Sequence, residues 1–197
     1  MSNASTYEAL RVASLKTLSY LASLAALAVV LKVFELPYPP APFLKYDVSG
    51  IPLALTAFIS LKYAFGFLPL YYVIPVALGF DAIGMAMKCL SEASTFAPLV
   101  LTSRAFSNKL PTKYANALAV AMASLSRVAT MSLANYIVTP YWLIWAWPEQ
   151  IKSLETAKAI VVAYIPHIAV FNLTLALIVA PTSIAVYAIL RRSGYLK

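Results

Sequence analysis

FLKYDVSGIPL, Phe43 to Leu53, lies between the first two long apolar runs of the chain and is approached through Pro37, Pro39, Pro40 and Pro42. Proline has no amide hydrogen to give a helix and its ring fixes φ, so the first helix has to end before this point. The chain then re-enters an apolar run carrying Lys45, Asp47 and Ser49. Both flanking runs are long enough to cross a bilayer, so these residues set a polar cluster at a membrane mouth.

Composition decides what the runs are. With 62% hydrophobic against 11% charged residues in 197, little polar surface is left for water to solvate. The chain therefore reads as an integral membrane protein. A transmembrane barrel would alternate apolar and polar residues in short segments, whereas Ala25 to Val33 and Leu173 to Ala180 are apolar all round, which selects helices. The first run is too long for a signal-peptide core, and the proline-rich stretch after it lacks a cleavage site, so it is expected to stay in the mature protein. The single cysteine, Cys89, excludes an intrachain disulfide and a thiolate-cluster metal site, and reads as a small buried apolar residue. In such a protein a net charge of +8 encodes orientation and contact with anionic lipid rather than nucleic acid.

The fold class expected is all-α, an integral membrane six-helix bundle forming one transmembrane domain over residues 1–197. The helices are placed at about 15–34, 49–65, 67–90, 95–106, 114–138 and 157–190. Gly66 alone divides the second from the third, and the fourth is short enough to be tilted, kinked or partly re-entrant. Pro166 and Pro181 are expected to kink the last.

Six spans put both termini on one side. That side collects Arg11, Lys16, Lys62, Arg104, Lys109, Lys113, Arg191, Arg192 and Lys197 against Glu8 alone. The other side balances Lys32, Lys45, Lys88, Lys152 and Lys158 against Glu35, Asp47, Glu92, Glu149 and Glu155. The positive-inside rule then makes both termini cytoplasmic in a cell membrane. Trp142, Trp145 and Trp147 fall on the outer side with Tyr141, as an interfacial anchor or a ligand-stacking surface.

Ionisable groups inside spans need a partner, a cavity or a function. On these boundaries three qualify, Asp81, Arg127 and His167, all at one level in the outer half of the membrane. Asp81, Gly84, Met85, Lys88 and Glu92 recur at steps of three or four and share a helix face leading to the outer surface. Ser124, Arg127, Met131 and Asn135 keep to one side of the fifth span, and Asn172 adds an amide on the sixth. Two readings follow: an Asp81 to Arg127 ion pair that staples helices, and an outward-open cavity roofed by the first loop. Nothing points to an enzyme, since GxxxxGK[ST], HExxH and GxSxG are all missing and a lone histidine completes no metal site. Ala22 and Ala26 form a small-xxx-small pair on which another helix could approach closely.

FLKYDVSGIPL after a first apolar helix resembles the first-loop motif of S components, the substrate-binding subunits of energy-coupling factor (ECF) vitamin transporters, and most nearly their riboflavin-specific branch. Asn135, Tyr136 and Pro140 in NYIVTP, and Phe171 with Asn172, resemble two further elements of that family in the same order. The resemblance implies capture of a water-soluble vitamin, riboflavin first, in a pocket under the first loop. Substrate contacts are then expected from the motif residues Lys45, Tyr46, Asp47, Ser49, Asn135, Tyr136 and Asn172 by the resemblance, and from Asp81, Lys88, Arg127 and His167 as the polar lining of the outward-open cavity. The resemblance also implies docking through Ala22 and Ala26 on a transmembrane coupling subunit that carries two cytoplasmic ATPases, with no cofactor beyond the transported vitamin. Two departures bear on the ligand: Leu175 stands where the riboflavin branch tends to carry lysine, and SEASTFAP, Ser91 to Pro98, replaces a glycine-rich, asparagine-containing turn. The competing readings are a stand-alone proton-coupled transporter using Asp81, Arg127 and His167, and an assembly factor whose buried charges only pin helices.

Overall fold

The computed structural model describes residues 2–195; the side chains of residues 2–14 and 16 lie outside that description. Of the charges counted above, Lys197 and the side chains of Glu8, Arg11 and Lys16 therefore lie outside what is described. The chain forms α1 (Ser2–Val33), a two-stranded hairpin of β1 (Leu36–Pro37) and β2 (Lys45–Tyr46), α2 (Gly50–Ile59), α3 (Leu61–Ala77), α4 (Ala82–Phe106), α5 (Thr112–Ala146) and α6 (Leu154–Arg192). The fold is thus a six-helix bundle. α5 packs along both α4 and α6, and short α2 sits at the centre against α1, α3, α4 and α6.

The bundle is inside-out relative to a water-soluble protein. Leu18, Leu27, Val30, Leu70, Val73, Leu125, Leu133 and Leu177 face outward, while Lys32, Asp47, Glu92 and Arg127 are buried. α5 and α6 are long and apolar enough to cross a bilayer by themselves. Apolar exterior and ionised interior together describe a protein whose solvent is lipid.

Two boundaries differ from those read in the sequence. The second helix ends at Ser60, not at Gly66: Ser60 takes an extended backbone, and the guanidinium of Arg104 reaches over from α4 to donate to the carbonyls of Ala57 and Phe58, at 3.4 and 3.0 Å. Those oxygens lose their intrahelical donors where α2 stops, and Arg104 replaces them. Gly66 lies inside α3 in open surroundings.

The third span is not one helix over 67–90. Its hydropathy is continuous, but Gly79 sits at φ +96°, which an L side chain rarely adopts, and Asp81 caps α4 by accepting from the Gly84 amide. The chain therefore turns at 78–81, and α4 runs unbroken through SEASTFAP, where a loop was expected. Asp81 consequently sits exposed at the end of a helix rather than in the middle of one, and Glu92 moves from a loop to the interior. Losing one break and gaining another keeps the number of helices even. Just past the end of α6, Tyr195 lies edge to face against Tyr20 of α1 at 6.4 Å, so the last residues described pack beside the middle of the first helix. α5 continues through Pro140 to Ala146, and α6 runs through Pro166 and Pro181.

Candidate functional site

The first loop folds as a lid. Its hairpin pairs Leu36 with Tyr46 and Pro37 with Lys45, and a tight turn between the strands returns the chain within Tyr38 to Leu44. Aromatic rings fasten it: Tyr46 packs on Phe171 of α6 at 4.6 Å and its hydroxyl bonds Thr174 at 2.7 Å, while Phe43 reaches Trp142 of α5 and Tyr164 of α6. Tyr46 and Ser49 thus hold the lid rather than line the space beneath it. Ser49 donates to Asp47 and pairs with the buried Tyr71 hydroxyl.

Beneath the lid and between α4, α5 and α6 lies a cavity of about 370 Å³. This falls within the range of small-molecule sites, roughly 300–1,000 Å³. Of the residues expected to bind substrate, Lys45, Asp47, Asp81, Lys88, Arg127, Asn135 and Asn172 line it. Tyr136 and His167 do not; both are exposed on the outer faces of α5 and α6. Each is one position from a buried residue of its turn, Tyr136 following Asn135 and His167 preceding Ile168.

The charged floor is one connected set. Lys32 pairs with Glu35 and stands 3.6 Å from Asp47; Lys45 meets Glu35 at 2.8 Å. Lys88 bridges Asp47 at 2.9 Å and Glu92 at 2.7 Å. Arg127, 1% exposed, meets Glu92 at 3.3 Å and donates to Thr95, Ser91 and Asn172 at 3.0 to 3.2 Å. The expected Asp81 to Arg127 pair does not form, because Asp81 lies eleven residues, about 16 Å of helix, from Glu92 on α4. Nor do Asp81, Arg127 and His167 converge as a relay, since two of them are exposed and the third is enclosed by Glu92 and its neighbours.

Burial opposes ionisation of Asp47, but the ammonium groups of Lys88 and Lys32 outweigh it and hold its carboxyl below the usual range. Glu35 follows the same balance, with burial overcome by Lys32 and Lys45.

Sequence reasoning missed Lys32, which looked like a loop cation, and the part played by Glu92. It also left Trp142 and Trp147 undecided between anchor and ligand surface; both line the cavity with Phe43, whereas Trp145 is 70% exposed. Asn135 donates to the Met131 carbonyl and accepts from Thr139, both bonds within its own helix.

No family model matches the chain, and no curated protein matches it in sequence. Among solved structures, the S component of a bacterial ECF transporter matches with a TM-score of 0.64 at 24% identity, over 91% of this chain and 97% of that one. The two share a fold. In this S-component-like fold, first loop, α4, α5 and α6 enclose one end of the bundle, and the alanine pair of α1 lies elsewhere: Ala22 and Ala26 are both exposed on the outside of that helix.

Proposed function

We propose that this protein is the substrate-binding membrane subunit of a vitamin uptake system, with riboflavin as its first-choice ligand and its energy supplied by partner ATPases through a coupling subunit. The lidded cavity carries the reading: it opens at the end of the bundle away from the chain termini, and its lid is tied down by non-covalent contacts that can be broken and remade. A planar heterocycle would lie against the aromatic side formed by Trp142, Trp147 and Phe43, with Asn135, Asn172 and Lys88 as polar contacts. Both termini would be cytoplasmic, because the described cations Lys62, Arg104, Lys109, Lys113, Arg191 and Arg192 gather at their end. The exposed Ala22 and Ala26 would let a coupling helix approach α1 closely.

The test is direct. Detergent-purified protein incubated with a vitamin mixture and passed over a sizing column should emerge yellow and flavin-fluorescent at near-stoichiometric occupancy. A colourless protein retaining none of the vitamins would refute the function. The proton-coupled alternative gains no support from the positions of Asp81 and His167.

A further inference from the structure

We propose that the ligand of this cavity is an uncharged heterocycle carrying a hydrogen-bond acceptor, and that Trp142 reads that acceptor through its indole N–H. The inference rests on the cavity being a solute-capturing site and goes beyond it in naming a charge class and a specificity residue.

The charges argue first. The ionised side chains lining the cavity, together with Glu92 behind them, are Lys32, Lys45, Lys88 and Arg127 against Glu35, Asp47, Asp81 and Glu92. They balance, and the buried ones are already engaged with one another. A ligand bringing its own charge would leave one charge uncompensated beside buried groups that are already paired, which is costly. A neutral ligand disturbs nothing.

Hydrogen bonding argues second. Trp142 lines the cavity, and its Nε1 is buried with no hydrogen-bond partner. An indole N–H can only donate, so a carbonyl oxygen or an unprotonated ring nitrogen is the group that satisfies it. Asp47 Oδ2 is likewise buried without a hydrogen bond, Lys32 standing off at 3.6 Å, so a hydroxyl or ring N–H on the same ligand would be met as well. Trp147 and Phe43, whose rings lie 5.7 and 6.4 Å from that of Trp142, give a planar ligand aromatic faces to rest on while the in-plane N–H of Trp142 meets its edge.

The test uses the full-length protein in detergent with two pairs of probes matched in shape but not in charge: riboflavin against riboflavin 5′-phosphate, and nicotinamide against nicotinate. Equilibrium binding is measured for wild type and Trp142→Phe, with the melting temperature of each. The neutral member of whichever pair binds should win by roughly ten-fold or more, and Trp142→Phe should weaken it by roughly ten-fold at an unchanged melting temperature. The indole ¹⁵N–¹H resonance missing from Trp142→Phe should move when that ligand binds to wild type.

Equal affinity in wild type and Trp142→Phe would overturn the inference while leaving vitamin capture intact. Preference for a charged member, or binding of none of the four, would also overturn it. Binding of nicotinamide but not riboflavin, with the Trp142→Phe loss, would uphold the inference and remove riboflavin as the ligand.

Discussion

Lys88 Nζ stands 2.9 Å from Asp47, joining the lid to the first turns of α4. The same ammonium also meets Glu92, so lid and interior share one cation. Lys88→Met would leave Asp47 its Ser49 hydrogen bonds and, among the described residues, Lys32 at 3.6 Å as its one remaining cation. Breaking such a buried pair costs about 3 kcal/mol or more. The expected result is a lower melting temperature together with faster ligand release, read by stopped-flow fluorescence; unchanged release would mean that the lid is held by its aromatic contacts alone.

Glu92 compensates both Lys88 and Arg127 at 1% exposure. Glu92→Gln leaves Arg127 without a carboxylate and Lys88 with Asp47 alone, and should destabilise the bundle by about 3–5 kcal/mol. Pairing it with Arg127→Met removes one of those cations, so the double variant should be more stable than the sum of its parts in a thermal double-mutant cycle. Strict additivity would show that the pair is not coupled.

Two glycines should behave oppositely. A Cβ on Gly50 would overlap the Glu92 carboxylate and lie 3.1 Å from Val179, so Gly50→Ala is expected to cost about 1–3 kcal/mol. A Cβ on Gly66 meets nothing within 4 Å, and there Gly66→Ala should be neutral or add about 0.5–1 kcal/mol by stiffening α3. Thermal unfolding in detergent checks both; equal effects would mean that Glu92 does not press against the start of α2.

These positions also mark where the sequence could be read and where it could not. Apolar content and the proline-rich first loop sufficed for the helical membrane class, and the polar spacing of Lys45, Asp47 and Ser49 located the lid. Boundaries failed where hydropathy was the guide. Gly79 and Asp81 end one helix and cap the next within a run that is apolar throughout, and only their backbone chemistry announces the turn. That slip displaced Asp81 and Glu92 together, which is why Arg127 was paired with the wrong carboxylate. Face assignment failed more narrowly, at Tyr136 and His167, where one step along the helix exchanges interior for lipid.

The lid should tolerate mild acid. Asp47 and Glu35 have folded-state pKa values below their unfolded ones, so their stabilising contribution is present above the ordinary carboxylate range, near pH 4, and is lost as pH falls through the lowered folded values. Ligand release rates are therefore expected to stay flat from pH 7 to about 5 and to rise only below about pH 4. A change in release rate between pH 7 and about 5 would contradict this account of the lid.

The central claim is that a vitamin occupies the space under the lid, and Asn135 offers the cleanest probe, because its side chain bonds only to its own helix. Riboflavin is titrated into wild type and Asn135→Ala while the quenching of flavin fluorescence is followed. Saturable one-to-one binding by wild type, weakened roughly ten-fold in Asn135→Ala at a nearly unchanged melting temperature, is the result expected. Saturable binding that Asn135→Ala leaves untouched, or no binding by wild type, would contradict it.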